Sequence, residues 1–197
     1  MKRPYLLLSN DDGVSAPGLQ FLIQALRPMA DLLVVAPDGP RSGYSCSITS
    51  TQPLRYREVS SEPGLSVYAC TGTPVDCVKL ALNVLAERRP DMVVGGINHG
   101  DNASVNAHYS GTMGVATEGA LQGLPAVAFS LCDFSQKADF TPLGPYLPRL
   151  VQQALDLHMQ PFTCLNINFP LCSRFNGIRV CRMAKSRWEK EVEMRRH

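Results

Sequence analysis

The chain has 197 residues, 45% hydrophobic and 18% charged, enough apolar material for one domain with a sizeable core, or two small ones, and not a disordered composition. A net charge of +2 is too small to point to a stable nucleic-acid partner, and the basic residues near the end, in KSRWEKEVEMRRH, are mixed with acids and read as a solvated face. Seven cysteines without a CxxC spacing exclude a zinc framework and fit reduced thiols of a cytoplasmic protein, with the segments around Cys70, Cys77, Cys132, Cys164 and Cys181 reading as apolar and buried. Lys2 and Arg3 precede an apolar run too short for a signal peptide, and no stretch reaches the length of a membrane span.

The first element is a buried strand, PYLLLS, which stops at Asn10, Asp11, Asp12 and Gly13. APGLQFLIQALRPM follows with Leu19, Leu22, Ile23 and Leu26 at helical spacing and Pro17 suited to a first turn. DLLVVAP is a second strand. Residues 41–64 break the rhythm; rich in Ser, Thr and Pro, they predict a hairpin or an extended excursion. LSVYACTGT is a strand, and PVDCVKLALNVLAERR a helix with Val75, Val78, Leu82 and Leu85 on one side. PDMVVGGIN is a strand, GTMGVATEGALQG a helix stopped by Gly123, PAVAFSL a strand, PYLPRLVQQALDLHM a helix and TCLNINFP a strand. This alternation predicts an α/β fold, a Rossmann-like three-layer sandwich around a mostly parallel sheet, with its ligand site at the carboxyl ends of the strands.

Polar residues gather where the strands end. Asn10, Asp11 and Asp12 follow the first, Arg41, Ser42 and Gly43 the second, and Asn98, Asn102, Ser110, Gly111 and Thr112 end or follow PDMVVGGIN. A parallel sheet brings these clusters to one edge. Carboxylate, amide and hydroxyl oxygens are hard ligands suited to Mg²⁺ or Mn²⁺. A divalent cation also offsets the repulsion between adjacent acids. Ser110, Gly111 and Thr112 open a helix, whose free amides form an anion site. Metal beside anion site suggests a phosphate ester substrate. Taken singly, each feature has a plainer reading. Asp-Asp-Gly is a common turn, Ser110 an ordinary N-cap, and Arg41 a solvated side chain. His99 and His108 read as exposed or as neighbours of a site rather than ligands, His158 and His197 as surface residues, and Trp188 as a packing or interface residue. Tyr44 could line a base pocket.

The motifs LLLSNDDGVSAPG, VVAPDGPRSGYSCSIT, TGTPVDCVKLAL, PDMVVGGINHG, YSGTMGVATEGALQGLPAVAFS, LNINFP and GIRV resemble, in order and over nearly the whole chain, the SurE (stationary-phase survival protein) family of metal-dependent 5′-nucleotidases. The resemblance implies hydrolysis of nucleoside 5′-monophosphates to nucleoside and phosphate by a hydrolase with one divalent metal ion per subunit. It implies metal ligands Asp11, Asp12, Ser42 and Asn98, catalytic roles for Asp11 and Asp12, and substrate contacts from Asn10 and the Ser110–Thr112 turn. Gly43 and Asn102, gathered at the same edge, join the substrate-binding set. Homodimers or homotetramers are the family habit. Two departures stand out. Many members carry two acids shortly before Tyr-Ser-Gly-Thr, where this sequence has Val105 and Asn106; Asp101 or His108 could compensate. Members usually continue past the position of His197 with a hairpin, strand and helix used in subunit exchange, so the expectation is one SurE-like domain over 1–197 without that extension, either absent or lying outside the given sequence.

The reading from another class is a receiver-type phosphoacceptor module, which also places an acidic pair after strand one and binds Mg²⁺. It requires an aspartate after a central strand and a lysine after a later one; DMVVGGIN and PAVAFSLCDF supply neither.

Overall fold

Strand β1 (Tyr5–Ser9) carries Leu6, Leu7 and Leu8 with no exposed surface, because successive side chains leave a strand on opposite faces and both faces are covered. The computed structural model describes residues 3–135 and 137–195; the expectations for Lys2 and His197 lie outside them. The further strands are β2 (Asp31–Pro37), β3 (Tyr56–Glu62), β4 (Leu65–Cys70), β5 (Met92–His99), β6 (Ala126–Leu131) and β7 (Leu165–Phe169). They form one sheet in the order β3-β4-β2-β1-β5-β6-β7, parallel throughout except for the β3–β4 pair.

Helices α1 (Pro17–Leu26) and α5 (Leu147–Asp156) pack with Leu6, Leu8, Leu32 and Val34 on one face. Helices α2 (Pro74–Leu80) and α4 (Gly111–Leu121) pack with Leu7, Leu33, Val35 and Val93 on the other, and α3 (Asn106–Tyr109) is a single turn ahead of α4. The expected three-layer α/β sandwich is therefore present, with a separate apolar core on each side of the sheet.

The excursion at 41–64 ends in a hairpin. β3 is an edge strand returning into β4 through Pro63 and Gly64, the glycine at φ +75. The helix expected over 74–89 is shorter: after Leu80 the chain widens into a π turn over Ala81–Leu85. The backbone leaves the helix at Ala86, which is extended, and Arg88 then pairs with Asp91 at 3.1 Å and lies over the Tyr5 ring at 4.7 Å. Cys70 and Cys77 are buried and Cys132 and Cys164 partly so, but Cys181 is exposed, contrary to expectation. Its segment forms no helix or strand and runs along the surface, so the apolar GIRV stretch finds no core to join. His158 is exposed, as expected.

The chain builds outward from β1 through β2 to β4, then crosses back and lays β5 on the other side of β1. The crevice outside the carboxyl ends of β1 and β5 is the point where winding reverses, the place where sheets of this class bind ligands.

Candidate active site at the sheet switch point

Asp11 enters that crevice directly from β1 and is 3% exposed. Its Oδ2 accepts the Gly111 N–H at 2.9 Å and its Oδ1 accepts the Thr112 hydroxyl at 2.7 Å. The first turn of α4 thus seats a carboxylate of the chain itself. Ser110 caps the same helix, its Oγ accepting from Met113 N at 3.1 Å. The Thr112 N–H has no partner among the described residues. Burial, reinforced by the neighbouring Asp12 charge, raises the Asp11 carboxyl to about 6, while the Thr112 and Gly111 hydrogen bonds pull the other way.

Asp12 is more open. Its Oδ2 lies 3.4 Å from both the backbone N and the Nδ1 of His99, and that contact raises the imidazole pKa. Asn98, near the end of β5, donates its Nδ2 to the carbonyls of His99 at 3.1 Å and Gly100 at 2.9 Å. The anchored amide leaves Oδ1 without a donor among the described residues, free to accept a cation. From the β2 side, Arg41 N donates to the Asp11 carbonyl at 2.6 Å, which brings Ser42 and Gly43 to the acidic loop. Both are exposed, Gly43 at φ +80.

Asn10 is fully buried, and its amide bonds Gly13 in both directions at 3.1 Å. It closes the loop that turns the two acids. Asn102 is 1% exposed, and its Nδ2 has no hydrogen-bond partner among the described residues. Its backbone is held from β7: Asn102 N donates to Asn168 Oδ1 and Asn166 Nδ2 donates to Asn102 O, each at 2.7 Å. Asn166 and Asn168 were not singled out in the sequence. Their signal is two amides at i, i+2 inside an apolar strand, a period that puts both on one side.

The 41–49 loop has its own fastening. Thr73 and Asp76 form a capping box on α2, and the Asp76 carboxylate also accepts Thr49 N at 3.1 Å, while Thr73 donates its hydroxyl to Ser47 O at 2.7 Å. On the α4 side, Gly114 lets the loop come close; a Cβ there would stand 2.4 Å from the Ser45 carbonyl oxygen. His108 is exposed, and Asp101 bonds Asn106 Nδ2 at 3.1 Å.

Among the described residues no group of three His, Cys, Asp or Glu side chains gathers for a metal. Asp11, Asp12 and the Asn98 amide meet at the switch point, with Ser42 on the loop that Arg41 fastens to Asp11, a donor set that fits a hard divalent cation. A cavity of about 520 Å³ at the opposite end of the strands, between Tyr5, Asp31, Glu62 and Arg88, contains none of these residues.

The family model for Survival protein SurE matches residues 6–190. The chain is 52% identical over 196 residues to the 5′-nucleotidase SurE of Phocaeicola vulgatus, covering 100% of this chain and 76% of that protein. It is 51% identical over 190 residues to that of Bacteroides fragilis, covering 96% and 74%. The crystal structure of the SurE protein from Aquifex aeolicus superposes with a TM-score of 0.83 at 37% identity, over 92% of this chain and 73% of that one. These matches do not support the receiver reading, and the fold agrees: β5 ends in Ile97, Asn98 and His99, without the aspartate a receiver needs. By sequence and fold, the chain belongs to the SurE family.

Proposed function

We propose that this chain is a metal-dependent 5′-nucleotidase that hydrolyses nucleoside 5′-monophosphates to nucleoside and phosphate. The observation that carries the reading is the convergence of Asp11, Asp12 and Asn98 at the switch point, with Asp11 seated on the first turn of α4. Asp11, Asp12, Ser42 and Asn98 would hold one Mg²⁺ or Mn²⁺ ion. Such an ion supplies charge neutralisation at the phosphoryl oxygens and a lowered pKa for bound water.

The residues divide the remaining work. The Thr112 N–H and Asn102 Nδ2, neither of them partnered among the described residues, are donors for the phosphate. Asp11, held at both oxygens, keeps its geometry. Asp12, more exposed and with Oδ1 unpartnered among the described residues, orients the attacking water and takes its proton. The water oxygen bonds to phosphorus as the P–O ester bond breaks, and the leaving 5′ oxygen takes up the proton that Asp12 received, so that nucleoside and phosphate are released with Asp12 ionised again.

The free thiols support a cytoplasmic setting, and no described helix is long and apolar enough to cross a membrane. Exposed Leu171, Ile178, Val180, Val192 and Met194 favour a homodimer or homotetramer, which light scattering on the eluting protein would measure. Phosphate release across the nucleoside monophosphates, with Mg²⁺, Mn²⁺ and a chelator control, tests the activity. Chelator-sensitive release is expected; chelator-insensitive release, or a hydroxylamine-sensitive aspartyl phosphate formed from acetyl phosphate without turnover, would contradict it.

A further inference from the structure

Two aromatic rings stand at the edge of this site and belong to neither apolar core. Tyr109 immediately precedes Ser110, and Trp188 arrives from the surface-running segment after β7. The rings stack with centroids 4.5 Å apart and planes 21° from parallel. Each is 46% exposed, so the pair keeps open aromatic surface. The indole is fixed in orientation: Nε1–H donates to Asn106 Oδ1 at 2.8 Å, and Asn106 is itself held by Asp101. Val105 N donates to Ser186 Oγ at 3.1 Å, tying the two segments together. On the other side Ser45 N donates to the Tyr109 carbonyl at 3.2 Å. A side chain whose polar end is satisfied and whose ring is held in place loses little entropy when something stacks on it.

We infer that Tyr109 and Trp188 are the platform on which the nucleobase of the substrate stacks. The inference rests on the nucleotidase reading above and extends it to recognition of the base. The Thr112 N–H, one of the phosphate donors, lies three residues after Tyr109 in the first turn of α4, so the ring pair is the exposed aromatic surface next to a phosphate held there. Aromatic stacking accepts any base through its π-face and reads no hydrogen-bonding edge. Asn106 acquires a role here: its amide both accepts from the indole and donates to Asp101.

Phosphate release from AMP and from ribose 5-phosphate, which lacks a base, separates stacking from chemistry. Trp188→Ala should lower the preference for AMP over ribose 5-phosphate about tenfold in kcat/KM, through KM, with Trp188→Phe recovering most of it. An unaltered preference, or an equal fall on both substrates, would overturn the platform. Trp188 is the only tryptophan in the chain, so its emission is a direct reporter. A non-hydrolysable phosphonate analogue of AMP should quench it saturably and ribose 5-phosphate should not; absence of quenching would overturn the platform. Wild-type protein that releases phosphate from AMP without this quenching refutes the platform alone. Wild-type protein that releases none refutes the nucleotidase reading, and the emission titration still decides the platform.

Discussion

Asp11 and Thr112 meet at 2.7 Å although 101 positions separate them in the chain. The carboxylate at the end of β1 is thereby locked to the first turn of α4, and any cation at Asp11 is positioned by that helix as well as by the acidic loop. Thr112→Val keeps the side-chain volume and removes the hydroxyl. It should destabilise the protein by about 1–3 kcal/mol, because a fully buried acceptor loses its donor. Phosphatase kcat/KM should fall roughly tenfold to a hundredfold. Denaturant unfolding and steady-state kinetics on the same preparation check both.

Gly111→Ala tests the closeness of that seat. The added Cβ would stand 2.7 Å from Asp11 Cβ and 2.9 Å from Pro74 Cγ. Neither neighbour can retreat, since Asp11 is held at both oxygens and Pro74 opens α2. Activity should fall at least tenfold, while far-UV circular dichroism keeps its helical signal, alanine being the better helix former. Full activity would mean that Asp11 need not sit where it does.

The acid–base balance of Asp11 has a definite sign. Its folded pKa, about 6, lies above the ordinary 3.8, so the folded chain without metal holds that proton more tightly than the unfolded chain. This contribution is present below about 4, is lost as pH rises to about 6, and stays lost above it. A divalent cation compensates the charge that appears. The rise in Tm produced by Mn²⁺ should therefore be larger at pH 8 than at pH 5, as scanning calorimetry would show. A larger rise at pH 5 would contradict the assignment.

Asp76 should matter beyond helix capping. Its carboxylate holds Thr73 N at 2.9 Å and Thr49 N at 3.1 Å, fastening the loop that carries Ser42. Asp76→Ala should cost about 1–3 kcal/mol and expose residues 41–55 to cleavage. Limited proteolysis with mass spectrometry locates the cut sites, and a cleavage pattern identical to wild type would count against the clamp.

The features legible in the sequence were the periodic ones. Apolar strands alternating with helices gave the sandwich, and polar residues at the ends of β1 and β5 converge because a parallel sheet leaves them no other place. Long-range pairings were not legible. The α4 amides read as a substrate phosphate site, yet Gly111 N–H and the Thr112 hydroxyl take Asp11, a pairing no local pattern encodes. Asn10 also closes the acidic turn through Gly13, a pairing that a polar run after a strand does not reveal. Asn166 and Asn168 drew no notice, although alternating amides in an apolar strand are a visible signal. Cys181 read as buried because an apolar segment does not reveal whether the fold offers it a core.

Titration of Mn²⁺ into wild-type protein and into Asp11→Asn, followed by AMP hydrolysis on the same samples, tests the central claim most directly. Wild type should bind close to one ion per chain and release phosphate only when the ion is present. Asp11→Asn should lose both, with turnover down by roughly a hundredfold or more. An Asp11→Asn protein that binds Mn²⁺ and cleaves AMP at near wild-type rate would contradict the account.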